Sequence, residues 1–142
     1  MLKNISSIIS PNLLKVLCEM GHGDEIVLAD ANFPAESIAL NNQIIRADGL
    51  GVVDLLNAIL PLFPLDQYDE ENFLVMQVVE GDPIPNIWND FAGVLEKHEP
   101  NSKMTFIDRF DYYERSKKAY AVIATGEKAQ YANVILKKGV IY

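Results

Sequence analysis

The sequence predicts an α/β fold whose sheet is covered on both faces. Two observations carry this. Helix-patterned segments alternate with short apolar runs along the chain, and most of those runs are continuous rather than alternating in polarity. A strand buried on both sides reads as unbroken Val, Ile and Leu, because helices of the crossover connections cover both faces of the sheet. With 142 residues, 49% of them hydrophobic, the chain is read as one domain, residues 1–142. A chain of this length buries about 68–70% of the surface it exposes unfolded, so its core needs no disulfide or metal.

Each element has a local reason. Ser10-Pro11 starts a helix, serine capping and proline filling the first helical position. Leu13, Leu14, Leu17 and Met20 follow at helical spacing, and Gly21 is placed to end it. Glu25–Ala29 is a strand, 33–37 an irregular segment, and Gln43–Arg46 a second strand. Asp48-Gly49-Leu50-Gly51 is a turn before a helix from Val53 to Leu60, which Pro61 ends. After the apolar loop Leu62–Leu65, a branched-rich strand spans Phe73–Val79. Gly81-Asp82-Pro83 turns the chain into a helix, Pro85–His98. A strand (Met104–Ile107), a polar helix (Phe110–Lys118) and two strands (Tyr120–Ala124 and Asn133–Leu136) complete the order.

Composition narrows the function. Twenty acidic residues against 12 basic ones give a net charge of −8, which argues against nucleic acid and anionic membranes as partners. A lone cysteine, Cys18, permits no internal disulfide and fits a reducing cytoplasm. Its place in an amphipathic helix suggests a buried structural thiol rather than a nucleophile. The N-terminus has no apolar h-region, and the most apolar window, 52–65, is too short and interrupted to cross a bilayer. No glycine pattern matches a dinucleotide or phosphate loop. These features read as a soluble intracellular protein.

Candidate chemistry centres on His22, in Gly21-His22-Gly23-Asp24, and Asp30, in Asp30-Ala31-Asn32-Phe33-Pro34. They flank one strand, and only two histidines exist to choose between. Histidine exchanges protons near neutrality, so the pair suits general acid–base work. The plainer alternative is a loop histidine bonded to a carbonyl, with Asp30 capping a turn at Asn32 and Asp24 capping its own. A zinc site built from His22, Asp24 and Asp30, with His98 a distant fourth ligand, lacks the clustered His or Cys that zinc sites use. His98 ends a helix, where a cation suits the dipole. Asp108 to Arg115 is either a solvated face with i,i+4 pairs (Asp111 with Arg115, Glu114 with Lys118) or a wall bringing Arg109 and Tyr113 to a hydroxyl-rich ligand. Tyr131-Ala132-Asn133 opens the last strand, and an asparagine amide matches a sugar hydroxyl.

Taken together, these segments resemble the ribose pyranase/fucose mutarotase family. The matching stretches are LCEMGHGDEI (17–26), ADANFP (29–34), ILPLFPLD (59–66), YER (113–115), ATGE (124–127) and YANVILKKGV (131–140). They run in order along nearly the whole chain. Asp108-Arg109-Phe110 with YERSKKA (113–119) looks like the fucose side of the family.

The resemblance implies a mixed, mostly parallel sheet between helical layers. It further implies a cofactor-free isomerase that interconverts the α and β anomers of a monosaccharide, L-fucose first. Ring-shaped homodecamers with sites near subunit boundaries follow from it as well. His22, Asp66 and Tyr113 are the implied catalytic residues, and Asp30, Met76, Arg109, Tyr131 and Asn133 the sugar contacts, with no metal ligand. D-Ribose pyranase activity, or a non-catalytic role as a sugar-binding accessory of uptake, are the alternatives. The apolar loop Leu62–Leu65 is expected to lie under a neighbouring subunit.

Overall fold

A computed structural model describes residues 1–142. Ser10 accepts a hydrogen bond from the Leu13 N–H and opens α1 (Pro11–Glu19). The helix ends at Met20 in extended conformation rather than at Gly21. The left-handed residue is Gly23, at φ 85°, a conformation glycine reaches without Cβ strain. β1 (Glu25–Ala29) follows, then α2 (Ala35–Ile38), a one-turn helix in the stretch expected to be irregular. β2 (Gln43–Ala47), α3 (Val52–Ile59) and β3 (Phe73–Met76) come next. α4 (Ile87–His98), β4 (Thr105–Ile107), α5 (Arg109–Lys117), β5 (Ala121–Thr125) and β6 (Val134–Lys137) complete the chain.

The strands form one sheet in the order β2-β5-β1-β6-β3-β4. β1, β2 and β5 pair in parallel, as do β3 and β4, while β6 runs antiparallel to both its neighbours. The mixed, mostly parallel sheet is therefore as expected. Alternate strand residues serve opposite faces. Ile26, Leu28, Ile123, Leu136 and Val75 join α1, α3 and α4 in a core of 28 buried residues. Val27, Ala29, Val122, Ile135 and Leu74 join α2 and α5 in a second core of 12. No helix is long and apolar enough to cross a membrane.

Several local expectations need correction. β3 stops at Met76 and not at Val79, because Ile107 and Val134 are the last residues its neighbours offer for pairing. The loop Leu62–Leu65 is covered by its own chain: Phe63 is 1% and Leu65 4% exposed, so it gives no ground for an interface. Cys18 lies on the exposed side of α1 and is not buried. Arg115 does not pair with Asp111. It forks onto Glu25 of β1 at 2.7–3.0 Å and reaches Glu71, stapling α5 to the sheet. Glu114 pairs with Lys117 rather than Lys118. His98 binds Asn57 of α3 at 3.0 Å, bridging two helices, and burial lowers its pKa.

Candidate active site

The sheet's polarity decides which residues meet. Asp30, Met76 and Arg109 lie at or just beyond the C-terminal ends of β1, β3 and β4. Because β6 runs the other way, the residues before its start, Tyr131 and Asn133, reach that same edge. Crevices outside the carboxyl ends of strands are the usual ligand sites of open α/β sheets.

A pocket of about 270 Å³ opens there, lined by Asp30, Asn32, Phe33, Met76, Asp82, Arg109, Tyr113, Gln130, Tyr131 and Asn133. All five expected sugar contacts and Tyr113 thus face one space. A larger hollow of about 480 Å³ adjoins it across Asp30, lined in part by Glu36, Arg46 and Asp48. Its one cation, Arg46, is already held by Asp48 and Glu36. Arg109 forms no ion pair and lies over the Phe110 ring at 4.9 Å, which leaves its donors for a ligand.

Asp30 is 7% exposed and tightly oriented. Its Oδ1 accepts from the Asn32 N–H at 3.0 Å and its Oδ2 from the Asn133 amide at 2.9 Å. Asn133 Oδ1 in turn accepts from the Asp30 backbone N–H at 2.8 Å. Asn133 therefore clasps Asp30 across 103 positions of sequence, rather than pointing only at a ligand. Burial raises the Asp30 pKa against the lowering effect of these bonds.

Tyr131 is a non-glycine residue at φ 55°, a conformation that costs about 1–2 kcal/mol. Its carbonyl accepts from the Trp88 indole at 3.1 Å, and its hydroxyl donates to Asp82. Strain held by such anchors clusters at functional sites. Asp108 caps α5, accepting from the Phe110 and Asp111 N–H groups, and so sets Arg109 on the first turn. Tyr113, half-buried one turn further on, packs on Phe33 with ring centroids 5.7 Å apart.

His22 and Asp66 are elsewhere. β1 separates His22 from Asp30 by about 16 Å of extended chain, so the expected His22–Asp30 pair does not form within one chain. The Gly21–Asp24 turn holding His22 is closed by Asp24 Oδ2 at 2.7 Å from the Gly21 N–H. It is clamped to the end of β6 through Gly23 and Lys138. The partner of His22 is Asp66, at 3.0 Å, with Tyr68 against the ring. Asp66 is 3% exposed, whereas the His22 side chain is 46% exposed. A carboxylate only accepts, so the bonded Nε2–H donates to Asp66.

Asn32, Phe33, Asp82 and Gln130 are lining residues that sequence reasoning missed. Asp82 looked like turn chemistry, and nothing local marks it as adjacent to Tyr131.

Solved structures share this fold. The fucose mutarotase of Streptococcus pneumoniae, in complex with L-fucose, is 53% identical over 99% of this chain and 100% of its own, with a TM-score of 0.94. FucU from Bifidobacterium longum is 50% identical over the same shares, with a TM-score of 0.96. Bacillus subtilis RbsD complexed with D-ribose is 27% identical over the whole of both chains, with a TM-score of 0.75. The family model of the RbsD / FucU transport protein family matches residues 3–141, so this chain belongs to that family.

Proposed function

We propose that this protein is a cofactor-free isomerase that interconverts the α and β anomers of L-fucose. The observation that carries the reading is the pocket itself. One buried, oriented carboxylate, one unpaired guanidinium and two tyrosines surround a space beside the apolar Met76 wall. Hydroxyl-binding donors and acceptors facing an apolar wall suit a sugar with a methyl in place of a hydroxymethyl. The 53% identity to a fucose mutarotase, against 27% to RbsD, favours fucose over ribose. The acidic charge and single cysteine fit the cytoplasm as the place of work.

Anomerisation needs two proton carriers. A base takes the proton from the hydroxyl on C1, the C1–ring-oxygen bond breaks, and an acid protonates the ring oxygen as C1 becomes an aldehyde. Rotation about C1–C2 and reversal of both transfers give the other anomer. Each well-placed carrier contributes about 10²–10⁴-fold. Asp30 and Arg109 hold ring hydroxyls, and Asn133 fixes the Asp30 carboxylate. Tyr113, whose hydroxyl has no partner within the chain, is one carrier. His22 is the other, with Asp66 orienting its ring. Since His22 lies at the far end of β1, the His22 that serves a given sugar comes from a second copy. This supports a closed homo-oligomer with sites at subunit boundaries, a decamer in the form the resemblance implies.

Exchange NMR on equilibrated L-fucose tests the reading. Anomer exchange accelerates with the wild type and persists in EDTA, and His22→Ala lowers kcat far more than it weakens sugar binding. No acceleration by the wild type refutes the enzyme, and ribose exchanging much faster than fucose refutes the substrate.

A further inference from the structure

The loop 77–86 contributes one side chain to the pocket, Asp82. Its shape is built in. The Asp82 N–H bonds back to the Val79 carbonyl at 3.0 Å, and Gly81 sits at φ 96° in that turn, where a Cβ would be strained. Pro83 then confines the Asp82 backbone to extended conformations. Asp82 is thereby held where it accepts the Tyr131 hydroxyl proton. The Val79 N–H also reaches Tyr131 Oη, at 3.4 Å.

A phenol has one proton to give. With that proton committed to Asp82 and the Val79 N–H on the oxygen, Tyr131 Oη can only accept from a third group. Resting on the reading that L-fucose occupies this pocket, we infer that Asp82 is a positioning residue. It fixes Tyr131 as an acceptor for one sugar hydroxyl and so contributes to which hydroxyl pattern the pocket takes. The charged groups lining the pocket with Tyr131 are Asp30, Asp82 and Arg109. The Tyr131 phenol is pushed above its ordinary pKa first by its bond to Asp82, opposed by the Val79 N–H bond and then by Arg109.

The test uses Asp82→Ala, Asp82→Asn, Tyr131→Phe and the Asp82→Ala/Tyr131→Phe pair in the full-length protein. Asp82 is exposed, so its substitutions leave the core alone, and Tyr131→Phe removes only a hydroxyl. Exchange NMR over a range of L-fucose gives kcat and KM. Asp82→Ala raises KM about tenfold, the size of one ordinary hydrogen bond, with kcat within about threefold because the contact is made equally in ground and transition states. Asp82→Asn keeps an accepting oxygen and recovers most of the loss. The double variant is no worse than Tyr131→Phe alone. Ultraviolet titration without sugar, with Tyr131→Phe as the blank, shows the Tyr131 phenol ionising at lower pH in Asp82→Ala. A KM within twofold of wild type, fully additive losses, or an unmoved Tyr131 titration overturns the inference. If the wild type does not speed exchange at all, the functional reading falls and the sugar part of this inference falls with it. The titration shift then still reports whether Asp82 holds Tyr131.

Discussion

Asp30 places a buried carboxyl at the edge of the pocket. Its pKa is raised mainly by burial, so the folded state resists its ionisation. The stabilising difference is fully present below the unfolded value of about 3.9 and is lost as pH rises through the higher folded value. The stability gap between Asp30→Asn and wild type should therefore move in favour of the variant between pH 4 and pH 7, as read by urea unfolding. A gap that does not vary with pH would show the carboxylate to be fully compensated by Asn32 and Asn133. Tyr112 poses the opposite case. It is fully buried, its hydroxyl has no partner, and burial pushes its phenol well above the usual range. An unmade buried hydrogen bond costs about 1–3 kcal/mol, so Tyr112→Phe should be neutral or stabilising by up to about 1 kcal/mol. A loss greater than that would reveal an internal water on the hydroxyl. Neither property can be read from sequence, because both depend on which side chains from distant segments close over the group.

Elements were legible where periodicity and punctuation agreed. Ser10-Pro11 marked α1, whereas the Asp108 cap that starts α5 at Arg109 was not read from the sequence, which began that helix at Phe110. α2 was missed because a single turn after Pro34 has no period to detect. The length of β3 was overestimated because pairing partners, not its own branched residues, end a strand. The turn after β5 makes a sharper prediction. A Cβ on Gly126 would collide with the Asp48 carbonyl, and the Gly126 N–H bonds to Leu50 at 3.0 Å. This turn locks β5 against the β2–α3 connection. Gly126→Ala should cost about 1–3 kcal/mol, in the range of overpacked sites, measured by the urea midpoint. A change below 0.5 kcal/mol, about the scatter of surface substitutions, would mean the connection yields freely.

At the scale of the whole molecule, the candidate site was half legible. Asp30, Arg109, Tyr113, Tyr131 and Asn133 were found individually, but their union depends on β6 running antiparallel, which no local pattern announces. The family resemblance named His22 and Asp66 separately, but their pairing across 44 positions was not legible in the sequence. The separation of His22 from Asp30 leads to a test by subunit mixing. His22→Ala and Arg109→Ala should each be nearly inactive alone. Unfolded together in equal amounts and refolded, they should regain about a quarter of wild-type activity if each site draws one residue from each of two copies. Activity no higher than that of either variant would place both residues in the same chain's site.

The position of β6 also governs when the protein becomes competent. It is the last strand in chain order, yet it fills the gap between β1 and β3 in the middle of the sheet. Until it arrives, Ile26–Leu28 and Phe73–Val75 present open apolar edges, the kind that recruit other chains. Long-range strand insertion is slow, so this interval is where aggregation competes with folding. The same insertion delivers Tyr131 and Asn133 to the pocket. The pocket is thus an index of β6 insertion, and a nascent chain arrested before Val134 has neither a closed sheet nor a complete pocket.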